Sequence, residues 1–295
     1  MTGNNWLAGR FESSRPRLRA MAYRMLGSLS DAEDAVQEGW IHAAGADADA
    51  VANLDGWFTT IVARICLDML RSRKSRREDP LTADEPGAAA NPASLAGSPE
   101  QEAILADSVG LAMLVVLDTL PPAERVAFVL HDTFGLPFDE IAAITGRSPA
   151  AARQLASRAR RRIHGAPSVP AERLARQRRV ADAFIAAARD GDMNALLAIL
   201  DPDVVLHGDA GAAPSGRPMT LRGATAVSRG ARAGGIARGR DARIVLIDGT
   251  PGIVYAPHGQ LALVIAFTIP GDTITQIDII TDPARLGDLA LAVLD

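Results

Sequence analysis

The residues best suited to chemistry in this chain are cations on one side of a short helical segment. Ser148 to Ile163 reads SPAAARQLASRARRRI and directly follows PFDEIAAITGR at Pro137 to Arg147. Ser148 suits the cap of a helix and Pro149 its first turn, where a missing N–H costs nothing. At helical spacing Ala152, Leu155, Ala159 and Ile163 fall on one side. Arg153, Gln154, Ser157, Arg158, Arg161 and Arg162 then point away from it, and no acid occurs between Ile141 and Ala171. Phe138, Ile141, Ala142 and Ile144 supply the apolar side of a preceding helix, which Gly146 ends. Two short helices joined by a tight turn, the second one basic, is the pattern that lays a helix in a DNA major groove. Arginine suits guanine O6 and N7, glutamine suits adenine, and the remaining cations suit phosphates. A solvated basic helix in an ordinary helical hairpin gives the same local pattern, so the rest of the chain must decide.

The chain has 295 residues, enough for two or three domains, and 48% of them are hydrophobic, enough for real cores. No apolar run approaches a membrane span, and the N-terminal stretch lacks the apolar segment of a secretory signal. The single cysteine, Cys66, excludes an internal disulfide framework and fits a reducing cytoplasm. It falls within an apolar helical stretch, which reads as buried filler rather than a reactive thiol. A net charge of −4 does not by itself point to nucleic acid, but the charge is segregated. RSRKSRR at Arg71 to Arg77 holds five cations in seven residues, and only acids occur from Glu78 to Glu124. Screening confines each patch to about 8 Å, so local fields outweigh the sum.

Residues 11 to 77 read as a helical domain. Leu18, Met21, Ala22, Met25 and Leu26 make one apolar stripe that Gly27 breaks. Ser30 is expected to cap a second helix, DAEDAVQEGWIHAA. A loop at Gly45 to Asn53 precedes a long helix opening at Asp55, with Phe58, Ile61, Val62, Ile65 and Met69 as its stripe. Residues 78 to 99 are rich in Pro, Ala, Gly and acids and read as a linker. A second helical domain spans about 100 to 166 and contains the helix-turn-helix. From 171 the character changes. Helices at 172–190 and after Asp192 lead into strand-like runs at 204–207, 219–222, 242–247, 253–256, 261–269 and 273–280. Asp248-Gly249, Pro257 to Gly259 and Pro270 to Asp272 are the turn signals between them. This implies a separate α+β domain.

Three blocks occur together: MAYRMLGSLSDAEDAVQEGW at Met21 to Trp40, DGWFTTIVARICLDMLRSR at Asp55 to Arg73, and the stretch from Leu120 to Ile163. In order and spacing they resemble regions 2 and 4 of bacterial sigma factors of the extracytoplasmic-function (ECF) group. The resemblance implies two all-α domains and covers about residues 11 to 165. It implies that Asp31, Glu33, Asp34, Gln37 and Glu38 meet the β′ clamp helices of core RNA polymerase, with the β flap as the partner of region 4. Asn53 and Trp57 would handle unpaired bases of the promoter −10 element, although Trp57 fits the core equally well. Arg64, Arg71, Arg73, Lys74 and Arg76 would contact phosphates. Arg147, Ser148, Arg153, Gln154, Ser157, Arg158 and Arg161 would meet the −35 element, and the acidic linker would thread polymerase channels that otherwise hold nucleic acid.

RVADAFIAAARDGDMNALLAILDPDVVLHGD at Arg179 to Asp209 resembles SnoaL-like domains of the nuclear-transport-factor-2-like fold, an α+β cone. TDPARLGDL at Thr281 to Leu289 resembles the tail of the sigma-factor subgroup that carries such a domain. The linker EDPLTADEP lacks that subgroup's tryptophan-containing proline motif, and HGDAGAAPSGRP at His207 to Pro218 departs from its glycine-lysine motif. Cis-regulation through this domain, by a small molecule or a protein signal, is the expectation. SnoaL-like cyclases use an Asp/His pair, for which His207, Asp209 and Asp278 are the residues available. A spacing of two is expected to point His207 and Asp209 to one strand face. A lone histidine in a strand more often serves structure, and no cluster has metal-ligand spacing. Neither a cofactor, nor a metal, nor catalysis is expected. Two other readings compete: a helix-turn-helix regulator acting without replacing sigma, and a DNA-tethered SnoaL-like enzyme. Neither needs the DAEDAVQE helix together with the Trp57 helix.

Overall fold

The computed structural model describes residues 3–48, 51–78, 110–165, 169–213, 215–234, 242–257 and 261–294. The acidic linker expected at 78–99 lies outside the described residues, apart from Glu78. The chain divides into two compact units.

The first unit is helical. Helix α1 (Gly3–Leu26), α2 (Leu29–Ala44) and α3 (Leu54–Glu78) pack pairwise on one another. Their core includes most of the set the spacing implied, with Leu18, Met21, Ala22, Met25, Phe58 and Val62 at most 2% exposed, while Ile61 and Met69 are half-buried. Phe11 joins it, its ring 5.0 Å from Phe58 and 5.3 Å from Trp40. The α2 cap is Ser28, two residues before the expected Ser30; its Oγ accepts the Asp31 N–H. Ser30 instead lies within the first turn and meets Ser28 through its hydroxyl, 3.0 Å away. Cys66 is fully buried, and burial pushes its thiol up to about 12. Helix α4 (Leu111–Asp118) belongs to the second unit. The first unit continues with α5 (Pro122–Phe128), a π-helical turn (Val129–Thr133), α6 (Phe138–Thr145) and α7 (Pro149–His164) as far as Arg160. Both α5 and α6 pack on α3.

The second unit holds α4, the end of α7 from Arg161, and all that follows. Helices α8 (Ala171–Asp190) and α9 (Met193–Ile199) form a hairpin. Gly191 ends the first, and Asp192 caps the second by accepting the N–H groups of Asn194 and Ala195. The strands are β1 (Leu200–Gly208), β2 (Met219–Arg222), β3 (Ala242–Ile247), β4 (Thr250–Tyr255), β5 (Leu263–Thr268), β6 (Ile274–Ile280) and β7 (Leu291–Ala292). They form one sheet in the order β2-β1-β6-β5-β4-β3-β7, antiparallel except for β1 beside β6. Helix α10 (Ala224–Gly234) and α11 (Pro283–Asp288) complete the unit; neither was anticipated from sequence. One sheet face presents Leu206, Ile253, Ile265, Phe267 and Ile277 to the apolar sides of α8, α9 and α10, including Phe184 and Leu196. This is the helix-plus-sheet arrangement that the resemblance to SnoaL-like domains implies.

Asp209, expected to share a strand face with His207, lies just beyond β1 and is turned elsewhere. It accepts the Thr281 N–H (2.6 Å), the Thr281 hydroxyl and the Asp282 N–H (2.8 Å). Burial pushes its carboxyl up, but these donors outweigh burial and hold it below the usual carboxylate range. A carboxylate whose folded pKa is depressed stabilises fully above its unfolded value and loses that stabilisation as pH falls through the folded one. Asp209→Ala is therefore expected to cost about 2 kcal/mol near neutrality. In denaturant titrations the difference from wild type stays constant down to about pH 5 and shrinks below about pH 4. A difference that persists undiminished at low pH would contradict the charge-based account.

Candidate nucleic-acid interface

The helix-turn-helix is built by local chemistry. Helix α6 buries Ile141, Ala142, Ile144 and Thr145. Gly146 takes the left-handed conformation (φ 67°), so its N–H and that of Arg147 both return to the Ala142 carbonyl. Ser148 Oγ accepts the Ala151 N–H at 3.2 Å, and Pro149 opens α7. Helix α7 buries Ala152, Ala156, Ala159 and Ile163 completely, while Leu155 is half-buried. Three small side chains in that strip let the helix seat closely against its support.

The opposite side of α7 exposes Arg153, Gln154, Ser157, Arg158 and Arg161, and Arg147 and Ser148 are exposed at its entry. Arg160 is engaged, its Nε donating to Asp132 at 2.6 Å. Arg158 stands 3.7 Å from the buried Glu124 carboxylate, and the Arg153 guanidinium lies 5.1 Å from the Phe138 ring centroid. Among the described residues Arg147, Arg153 and Arg161 form no ion pair. Their charge is thus available to an anionic partner.

The acids of α2 separate by helical face. Asp31 pairs with Arg73, and Glu33 accepts from Arg19 at 2.9 Å, so both are turned into the helical unit. Asp34, Gln37 and Glu38 are exposed, and so is Ile41, at 65%. Positions 34, 37, 38 and 41 form one continuous row. Ile41 escaped the sequence reading; an apolar residue following the acids at helical spacing on a face without core partners was the available signal.

On α3, Asn53 is exposed and caps the helix, accepting the Gly56 N–H at 3.0 Å. Trp57 is half-buried, its ring 5.5 Å from that of the buried Phe58. Arg64 is exposed and donates to the Ala143 carbonyl at 3.1 Å, capping the C-terminal end of α6. Arg71 is exposed and pairs with Asp68 one turn earlier. Arg64, Asp68 and Arg71 line a notch of about 390 Å³ with Ile144, Thr145 and Arg147. Residues from both sets expected to touch DNA, Arg64 and Arg71 in one and Arg147 in the other, therefore meet in one place. Arg73 is different: half-buried, it donates to the Leu26 carbonyl at 3.0 Å and pairs with Asp31, tying α3 to α1 and α2. The side chains of Lys74 and Arg76 lie outside the described residues.

The proposed acid–base pair of the second unit is not assembled. His207 is exposed and meets Thr220 Oγ1 at 3.3 Å, Asp209 is committed as described, and Asp278 accepts from Gln276 at 2.8 Å. His207 and Asp278 are neighbours in the β1/β6 register, on the sheet face opposite the packed interior. Among the described residues no three His, Cys, Asp or Glu side chains are grouped to hold a metal. No helix among them is long and apolar enough to cross a membrane.

A helix-turn-helix with a free basic face, beside a three-helix domain with an exposed acidic row, defines a two-part protein of transcription. Residues 10–76 match the sigma-70 region 2 family and residues 111–163 match sigma-70 region 4. The probable ECF RNA polymerase sigma factor SigI of Mycobacterium tuberculosis is 33% identical over 98% of both chains. The ECF sigma factor SigJ of the same organism is 38% identical over 74% of this chain and 70% of its own. The crystal structure of M. tuberculosis SigJ matches with a TM-score of 0.46 at 29% identity, covering 95% of this chain and 98% of that one. The chain belongs to the ECF sigma factors of RNA polymerase. It is a transcription initiation factor whose partners are core RNA polymerase and promoter DNA.

The two arginines of α3 are expected to differ. Arg73→Ala removes a half-buried ion pair and a carbonyl contact and should cost about 1–2 kcal/mol. Arg71→Ala removes a surface pair worth less than about 0.5 kcal/mol. Denaturant unfolding of the full chain measures both; equal losses would overturn the division.

Proposed function

We propose that three surfaces divide the work of initiation. The row Asp34, Gln37, Glu38 and Ile41 docks on the β′ clamp helices. Charge there steers the encounter and fixes register, and Ile41 supplies apolar contact that a purely acidic face lacks. Asn53 and the exposed edge of Trp57 meet the unpaired −10 strand, with Arg64 and Arg71 on its phosphates. Helix α7 reads the −35 duplex through Arg153, Gln154, Ser157, Arg158 and Arg161, with Arg147 and Ser148 at its entry, and the β flap supports this domain. The chain performs no chemistry of its own and acts in the cytoplasm, where its polymerase works. The C-terminal domain regulates these contacts in cis, in response to a small molecule or a protein signal.

The observation that carries this reading is the acid-free exposed face of α7 in the same chain as the exposed α2 row. A regulator that bound duplex DNA alone would need the first and not the second.

In vitro transcription with purified core polymerase tests it. New start sites are expected only with core plus this chain. They should disappear when Asp34, Gln37, Glu38 and Ile41 are all replaced by alanine, a variant whose fold is checked by its melting temperature. Gln154→Ala should relax preference at one base pair of the −35 element by about 1–3 kcal/mol. Each arginine that contacts a phosphate should, when replaced, lower the salt slope of binding by about one. Duplex binding without core, and no new start sites, would replace this reading with a conventional regulator. Start-site usage unchanged on removing residues 171–295 would refute cis-regulation.

A further inference from the structure

We propose that the C-terminal domain is a structural part of the −35 reader, holding the first helix of region 4 and the last turn of α7. This rests on α7 being that reader. The region 4 match spans 111–163, yet residues 111–119 and the described residues from Arg161 onward group with the sheet.

Helix α4 explains half of this. Its sequence, LAMLVVLD, is apolar all round, and Leu114, Val115, Val116 and Leu117 are at most 1% exposed. A helix of that kind must be covered on every side. It packs against β3, where Ala242 and Ile244 face the main apolar interior. Strand alternation turns Val245 to the other face, and it too is fully buried.

The C-terminal segment explains the other half. It is pinned at successive points from Thr281 onward. Asp209 holds Thr281 and Asp282, and Asp282 caps α11 by accepting the Arg285 N–H. Asp248 and Ala290 then exchange two hydrogen bonds, at 2.9 and 3.0 Å. Leu291 and Ala292 pair with Ile247 and Leu246 as β7. At the end of this strap the Val293 N–H donates to the carbonyl of Ile163, in the last turn of α7, at 2.6 Å. Gly165 follows with φ 58°, and a Cβ there would stand 2.5 Å from that of Ala292. The carbonyls that a helix leaves open at its C-terminus are thus partly satisfied by the far end of the chain.

Hydrogen exchange on the wild-type chain tests the first half without any substitution. Amides of α4 are expected to exchange in step with those of β3 and β4; exchange in step with α5 and α6 would overturn the assignment. Val293→Pro removes the donor to Ile163, and Gly165→Val attacks the same contact from the residue that follows α7. Both full-length variants are expected to bind a −35 duplex about tenfold more weakly in complex with core polymerase. Their binding to a single-stranded −10 oligonucleotide should be unchanged. Wild-type affinity for the duplex in both variants would refute the proposal. If the wild-type complex itself fails to recognise the duplex, the reading of α7 fails instead, and the exchange result stands apart from it.

Discussion

Exposed positive charge on α7 is the constraint around which the helical unit is arranged. A helix that meets phosphates and base edges must keep its cations free, so neutralising acids cannot sit on the same face. The α7 sequence carries five arginines and no acid. Their mutual repulsion is moderated by groups on other elements. Asp132 takes Arg160, the buried Glu124 draws Arg158 at longer range, and the Phe138 ring lies near Arg153. Each is set at the rim of the exposed face. The apolar strip of alanines seats the helix, and the charge remains directed outward.

The same separation of tasks runs through α1 to α3, where helical rotation performs it. Asp31 and Glu33 reach back to Arg73 and to Arg19, joining three helices. Asp34, Gln37 and Glu38 lie on the other side of α2 and carry no share of that joint, although His42 stands 3.7 Å from Glu38. Charges that stabilise the domain and charges available to a partner therefore alternate within eight residues. A substitution at Asp31 breaks a joint between helices, and one at Asp34 leaves that joint intact, although the two look alike in the sequence.

How much the sequence foretold depends on the range of the interaction. The helix-turn-helix was legible because its caps, its glycine and its apolar spacing act within four or five residues. The same holds for Asp192 at α9 and for the Asp248-Gly249 turn, whose φ values are 50° and 80°. Helix α10 was missed because ATAVSRGARAG carries one internal glycine, a second at its end, and few large apolar residues, so its stripe is faint. The cap of α2 slipped by two residues because Ser28 and Ser30 are chemically equivalent candidates. The commitment of Arg73 to Asp31 was illegible, since a partner 42 positions away leaves no local mark. Asp209 failed for a related reason: strand alternation assigns a face only while the strand continues, and β1 ends at Gly208.

That ending also redirects the carboxylate of the expected acid–base pair. Acid–base work requires a histidine and a carboxylate converging on a sheltered volume. Here Phe184, Leu206, Phe267, Ile277 and their neighbours form the apolar core on one side of the sheet. His207 stands on the opposite side with Thr220, and Asp209, whose pKa is depressed, fastens the chain's own Thr281 and Asp282. A group that in a catalyst would be held ready for substrate serves here as an anchor for the strap. The polar chemistry of this domain has been spent on holding its own C-terminal segment, whose far end meets the last turn of α7. In the reading proposed above, the domain acts on transcription through what it holds in place.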